Sequence, residues 1–215
     1  MTAAIIGIAI VALGLVLTPG PNMIYLVSRT LAQGRAAGLV SLLGVAAGFF
    51  VYLAGSAIGL TALFATVPVL YSILKFAGAA YLLYLAWQAL RGDKAVFVAQ
   101  AQARSLKPDS NCRLFTMGLV TNLLNPKIAV LYVSLLPQFI DPAHGSVAAQ
   151  GFILGLVQIG IALTVNCLIV LSAGQIAGWL ARKPVWLRVQ RWFMATVLGI
   201  LAIRMASARP APLAS

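Results

Sequence analysis

The sequence has almost no acidic residues and few side chains that bind metals. Its 215 residues include 15 Lys and Arg but only three acidic residues, one His and two Cys, and no Glu occurs. Metal sites are built from clusters of His, Cys, Asp and Glu, so we expect no bound metal and no cofactor. Cys112 and Cys167 are too few for a disulfide framework, and we expect both to be free thiols.

The scarcity of acids also weakens the case for an enzyme. Asp141, His144 and Ser146 lie close together in the sequence and include the residue types of a catalytic triad. Triad partners converge in an oriented pocket, whereas residues at this spacing in a short loop form a solvated turn. We therefore expect no enzymatic activity.

The sequence is rich in long hydrophobic segments. Hydrophobic residues make up 62% of the chain and charged residues 8%, against about half and a quarter in soluble domains. Runs long enough to cross a hydrocarbon core, which takes about 20 residues, occur six times. They cover approximately residues 3–28, 36–61, 68–90, 114–139, 147–173 and 186–206. This pattern predicts an all-α integral membrane protein with six transmembrane helices.

The basic residues are concentrated in alternate loops between the predicted spans. The net charge is +12, yet the second and fourth loops contain no Lys or Arg. A nucleic-acid-binding protein would carry these charges on one face of a soluble fold, so we expect no nucleic-acid partner. The positive-inside rule places the odd-numbered loops in the cytoplasm and both termini outside, with Arg204 and Arg209 against that orientation. The N-terminus lacks the basic region of a cleaved signal peptide.

The first predicted span is interrupted by the sequence TPGPN. Pro19 and Pro21 lack an amide donor and Gly20 provides no side chain, so the helical hydrogen bonds must open between Thr18 and Asn22. Backbone freed inside a membrane must be buried by other helices or line a polar cavity, where the half-helix ends can bind a solute. A proline kink kept for packing is the alternative.

A similar interruption occurs in the fourth span. Its sequence GLVTNLLNPKIAVLYVS aligns with GLVLTPGPNMIYLVS in the first span, and Pro126 lies near the matching offset. With three helices in each half, the second half must enter the membrane from the other side, which predicts an inverted repeat with broken helices 1 and 4. Chance similarity between two apolar helices is the alternative. The predicted domain organisation is a single transporter domain over 1–206, with repeats over about 1–90 and 114–206, a cytoplasmic loop over about 91–113 and a flexible tail over 207–215.

Polar side chains accompany both interruptions. Lys127 lies within a span and has no carboxylate at a nearby helical spacing, an unfavourable position unless it snorkels or binds a solute. The carboxylate of an amino acid would suit it. The amides of Asn22, Asn122 and Asn125 both donate and accept hydrogen bonds, as recognition of a zwitterion requires.

We expect the two interruptions to form two gates around a central solute pocket. Both come late in their helices, and the helices run in opposite directions, which would place Pro21 and Pro126 on opposite sides of the membrane midplane. Gln158 and Asn166 in the fifth span are further candidates for the pocket lining, with hydrogen bonding between helices as the alternative.

Glycines recur along the second span at the spacing that allows close helix contact. Gly44 and Gly48 form one GxxxG pair, and Gly55 and Gly59 form another. Such pairs let another helix approach closely, either within the chain or between two chains. A homodimer is therefore an open possibility.

Three segments together resemble the LysE/RhtB amino-acid exporters. They are TPGPNMIYLVSRTLAQGRAAGL, FAGAAYLLYLAWQALR and FTMGLVTNLLNPKIAVLYVSLLPQFID, in the order and at the spacing of that family's signature blocks. The resemblance implies a bacterial inner-membrane protein that exports amino acids such as lysine, threonine, homoserine or leucine, driven by the proton gradient. It assigns functional positions to Pro19, Gly20, Pro21, Asn22, Asn125, Pro126, Lys127 and Asp141.

Residues and resemblance together predict an amino-acid exporter embedded in the lipid bilayer. A neutral or small polar substrate is favoured, because the spans offer no acid to pair with a cationic side chain. Asp141, at the outer end of the fourth helix, is the nearest candidate for proton coupling. The alternatives are a cation or heavy-metal exporter on the same scaffold, and a membrane scaffold or interaction protein that transports nothing.

Overall fold

The computed structural model describes residues 1–18, 20–66, 68–91 and 108–182, with isolated positions between 192 and 207. These residues are predominantly helical and include no strand, which confirms the all-helical prediction. The helices are α1 (Thr2–Leu17), α2 (Pro21–Gln33), α3 (Arg35–Thr66), α4 (Pro68–Arg91), α5 (Asn111–Leu123), α6 (Pro126–Val130) and α7 (Val147–Arg182). A π-helical turn, Leu131–Leu135, and a 3-10 turn, Leu136–Phe139, continue α6, and a second 3-10 turn, Pro142–His144, precedes α7.

Two of these helices are long and apolar enough to cross a membrane by themselves, over Arg35–Ser56 of α3 and Val147–Ala173 of α7. Two further spans arise if each bent pair is counted as one: α1 with α2, bent by 52°, and α5 with Pro126–Phe139, bent by 49°. The described residues thus contain up to 4 candidate spans. The third predicted span coincides with α4, whereas most of the sixth, 186–206, lies outside the described residues, so the six-helix inverted repeat stays a prediction.

Both predicted helix interruptions are confirmed. Helix α1 ends just before Thr18, and α2 begins at Pro21, where the missing amide of proline costs no helical hydrogen bond. Pro19, between them, lies outside the described residues. In the second interruption, α5 ends at Leu123 and α6 begins at Pro126. The side chain of Asn125 caps α6 by accepting a hydrogen bond of 3.1 Å from the amide of Lys127.

The predicted first loop is wrong. The predicted spans 3–28 and 36–61 leave residues 29–35, with Arg29 and Arg35, as the first loop, but α2 continues to Gln33 and α3 begins at Arg35. Gly34 alone connects the two helices and adopts the left-handed conformation with φ 87°, which favours glycine. The charge of Arg29 does not end the helix, because its guanidinium is buried against an acidic partner.

Helix α3 lies at the centre of the structure and packs against α5 and α7. A Cβ atom at Gly44 would lie 2.0 Å from the carbonyl oxygen of Phe115, and one at Gly118 would lie 2.3 Å from that of Ser41. The backbones of α3 and α5 are therefore in direct contact, which only glycine permits. The Gly44 spacing serves packing within the chain, whereas no described atom lies within 4 Å of a Cβ at Gly55. The homodimer stays a prediction.

Candidate functional site

Lys127 connects the two interrupted helices. It follows Pro126 at the start of α6, and its Nζ donates hydrogen bonds to the carbonyl oxygens of Leu15 (2.6 Å) and Thr18 (2.8 Å). These carbonyls belong to the C-terminal end of α1, where carbonyl groups lack helical partners and the helix dipole is negative. The side chain is buried, with Lys127 only 7% exposed. The ammonium group of Lys127, from the second interruption, therefore caps the C-terminal end of α1 at the first interruption.

Gly20 provides the space that this contact needs. Its backbone is extended, with φ −165°, a conformation open to any residue. A Cβ atom there would lie 3.1 Å from Nζ of Lys127 and 3.4 Å from its Cε, closer than packed atoms comfortably approach. The glycine of TPGPN thus makes room for the lysine of NPK.

The predicted separation of the two interruptions is wrong, whereas their role as gates stays a prediction. It assumed straight helices, on which the interruptions would lie at different depths. The bends of 52° and 49° instead bring both interruptions to one place, where Lys127 of the second contacts Thr18 of the first. Asn22 and Asn125 line the same cavity. Residues of both interruptions therefore line one cavity.

That cavity lies between α1, α2, α3, α6 and α7 and has a volume of about 30 Å³, room for about two water molecules. Its polar lining comprises Asn22, Asn125, Lys127, Gln158 and Asn166, and a role of the last two in holding a solute stays a prediction. Gln158 and Asn166 also form hydrogen bonds, with the hydroxyl of Tyr132 and the carbonyl of Ala162 respectively. The rest of the lining is apolar.

Two buried polar atoms at this cavity have no hydrogen-bond partner in the described part of the chain. They are Oδ1 of Asn22, which is an acceptor, and Nδ2 of Asn125, which is a donor. Asn22 is 7% exposed and Asn125 is 1% exposed. An unpaired buried polar atom costs about 1–3 kcal/mol, so native proteins keep few of them without a reason. An acceptor and a donor are thus available to a solute that carries both functions.

Of the described residues predicted for the site, Asn22, Asn125 and Lys127 line the cavity, whereas the others do not: Thr18, Gly20, Pro21, Asn122, Pro126 and Asp141. Asn122 is fully buried and packs against α3, where a Cβ at Gly48 would lie 2.7 Å from its side chain. Asp141 lies in the exposed loop before α7 and accepts hydrogen bonds from the amide of Ala143 (3.0 Å) and Nδ1 of His144 (2.7 Å). These hydrogen bonds hold the pKa of Asp141 below its usual range.

A charge cluster between α2 and α5 was not predicted from the sequence. Arg29 of α2 forms an ion pair with Asp109, just before α5, and both side chains are buried. Arg113 binds the same carboxylate at 3.0 Å from the exposed side. All three had been assigned to loops or loop edges. A usable signal was the presence of a single acidic residue directly before the second interrupted helix.

The fold and site together define a class. An all-helical membrane protein whose paired broken helices meet at a buried polar cavity is typical of secondary transporters. The model of the LysE type translocator family matches residues 13–209. The chain belongs to that family.

Individual relatives agree with this assignment. The homoserine/homoserine lactone efflux protein of Salmonella typhimurium is 31% identical over 198 residues, which cover 91% of this chain and 92% of that protein. The leucine efflux protein of Salmonella choleraesuis is 28% identical over 196 residues, covering 91% of each. No solved structure shows significant similarity to the chain.

Proposed function

We propose that this protein exports neutral or small polar amino acids through the cavity between its two broken helices. The observation that carries the proposal is the arrangement of three groups at one cavity: the ammonium of Lys127, the unpaired donor of Asn125 and the unpaired acceptor of Asn22. Together they complement a zwitterion. The carboxylate of the substrate would bind Lys127 and Nδ2 of Asn125, and its ammonium group would donate to Oδ1 of Asn22.

The rest of the lining supports an uncharged substrate side chain. Apolar groups of Phe49, Leu131 and Ala162 form part of the wall, and the described lining contains no Asp or Glu. A lysine or arginine side chain would therefore enter without a counter-ion, at a high desolvation cost. The two efflux relatives are named for homoserine and leucine, both with uncharged side chains.

Transport through this site requires movement. A cavity of about 30 Å³ holds about two waters and is too small for an amino acid. We propose that the described conformation is too narrow for the substrate and that α1 and α6 separate to admit it. In this scheme two inverted halves alternate access across the bacterial inner membrane, with both termini outside and the proton gradient as the driving force.

The test is efflux from cells preloaded with labelled amino acids by dipeptide feeding. The wild-type chain is compared with Asn22→Ala and Lys127→Ala, and with Thr164→Val as a control on the exposed side of α7. We expect selective efflux of a few neutral amino acids, lost in both site variants, retained in the control and abolished by a protonophore. Efflux that survives both site variants would contradict the proposed site.

Two other outcomes would favour the alternative functions. Protection of cells against a metal cation without amino-acid efflux would indicate a cation exporter. No solute movement by well-expressed protein, together with a stable protein partner, would indicate a scaffold. In either case the proposed function fails.

A further inference from the structure

We propose that the carbonyl oxygens of Leu15 and Thr18 form the binding site for the ammonium group of the substrate, and that Lys127 occupies this site when the carrier is empty. The inference rests on the proposed function and adds the position of the ammonium site and its occupant. Its physical basis is the identity of the two groups: Lys127 carries a primary ammonium, as does an amino acid.

The contacts of Lys127 show that this helix end accepts an ammonium group. Its Nζ lies 2.6 Å from the carbonyl oxygen of Leu15 and 2.8 Å from that of Thr18. Both carbonyls point out of the C-terminal end of α1, where the helix dipole favours a cation. Asn22 lines the same cavity and is only 7% exposed. Its unpaired Oδ1 offers a third acceptor.

A bound zwitterion would redistribute these contacts. Lys127 has three N–H donors, and two of them are engaged with α1. A carboxylate placed on Lys127 beside the carbonyls of Leu15 and Thr18 would bring like partial charges together. If Lys127 moves to the carboxylate and the substrate ammonium replaces it on α1, every charged group keeps a partner.

This exchange explains why the empty site is closed. In the absence of substrate, Lys127 holds the end of α1 against the start of α6 and leaves a cavity of only about 30 Å³. A substrate inserted between the ammonium of Lys127 and the α1 carbonyls increases the distance between them by the length of the substrate. Binding and separation of the two broken helices then become one event.

The first experiment measures whether the vacated carbonyls bind an amine. Purified Lys127→Ala protein is heated with propylammonium chloride, with 1-propanol and with sodium chloride at equal ionic strength. A ligand that binds only the folded state raises the melting temperature with concentration. We expect a saturable rise with propylammonium alone, and none in the wild-type chain, where Lys127 fills the site.

The inference is overturned if propylammonium chloride raises the melting temperature of the Lys127→Ala protein no more than sodium chloride does. It is also overturned if propylammonium raises the melting temperature of the wild-type chain by the same amount. Lys127→Ser, which also vacates the space beside the carbonyls of Leu15 and Thr18, replaces Lys127→Ala if the latter does not fold. This readout does not depend on transport. Saturable amine binding without amino-acid efflux would leave the ammonium site standing and remove the proposed function.

A second experiment tests the predicted separation. Cys112 and Cys167 are replaced by Ser, and spin labels are attached at Leu13 of α1 and at Leu124 before α6, both of which are exposed. We expect a transported amino acid to lengthen the distance between the labels. Its N-acetyl derivative, which lacks the ammonium, should bind at least about tenfold more weakly and leave the distance unchanged. An unchanged distance at saturating amino acid, or equal binding of the derivative, would contradict the exchange.

Discussion

The guanidinium of Arg29 is buried against the carboxylate of Asp109, although the two residues lie 80 positions apart. This ion pair joins the end of the first broken helix to the start of the second. Arg113 binds the same carboxylate from the surface, with its side chain 68% exposed against 9% for Arg29. One acid therefore has two cationic partners in very different environments.

We expect these two arginines to differ strongly in their contribution to stability. Arg29→Ala leaves the buried carboxylate without its inner partner and should cost about 3–5 kcal/mol. Arg113→Ala removes an exposed partner and should cost at most about 1 kcal/mol. Melting temperature and the amount of folded protein in the membrane measure the difference. Equal losses would show that burial does not govern this cluster, and Arg29→Met combined with Asp109→Leu should recover most of the loss.

Asn22→Leu should stabilise the protein and abolish efflux. The substitution removes a buried acceptor that has no described partner, which relieves about 1–3 kcal/mol. The same acceptor is needed for the substrate, so transport is lost as the melting temperature rises. A lower melting temperature would mean that Asn22 has a structural role, and retained efflux would exclude it from the site.

The contact between α3 and α5 should not tolerate a methyl group. Gly44→Ala places a Cβ 2.0 Å from the carbonyl oxygen of Phe115, so the backbones must move apart, at a cost of about 1–3 kcal/mol or more. Gly160→Ala on α7 is the matched control, because no described atom lies within 4 Å of its Cβ. There the change should stabilise by about 0.4–1 kcal/mol. Thermal unfolding in detergent compares the two.

Asp141 should not be the residue that exchanges protons. The amide of Ala143 and the ring of His144 lower its pKa from an ordinary value of about 3.9. A carboxylate with a lowered pKa contributes its full stabilisation at every pH above the ordinary pKa of Asp. It loses that stabilisation only as the pH falls through the lowered pKa. It therefore stays ionised between about pH 5 and 8. Efflux by Asp141→Asn should show the wild-type pH profile; a shifted profile would restore Asp141 as the coupling residue.

The helix interruptions were predictable because proline and glycine act locally. Pro21 and Pro126 each begin a helix at a predicted interruption, and the structure adds that Asn125 caps the second. Their meeting at one cavity was not predictable, since it depends on two bends whose direction no local pattern specifies. A straight-helix estimate placed them apart.

The partners of the buried charged residues also could not be predicted from the sequence. Lys127 was identified as an unfavourable lysine within a span, but its acceptors are the backbone carbonyls of Leu15 and Thr18, which every residue carries. No side-chain pattern could have named them. Arg29 fell in a loop because the predicted first span ended at residue 28, whereas in the structure it lies within α2 and its ion pair is buried.

The glycine contact between α3 and α5 links a helix of the first half of the chain to a helix of the second. Backbones that touch at Gly44 and Gly118 leave no room for a side chain between the two helices. We expect α3 and α5 to stay paired during transport, while the two inverted halves of the proposed scheme move at their broken helices. The elements that move in this protein would be α1 and α6, which would change position relative to the packed pair of α3 and α5.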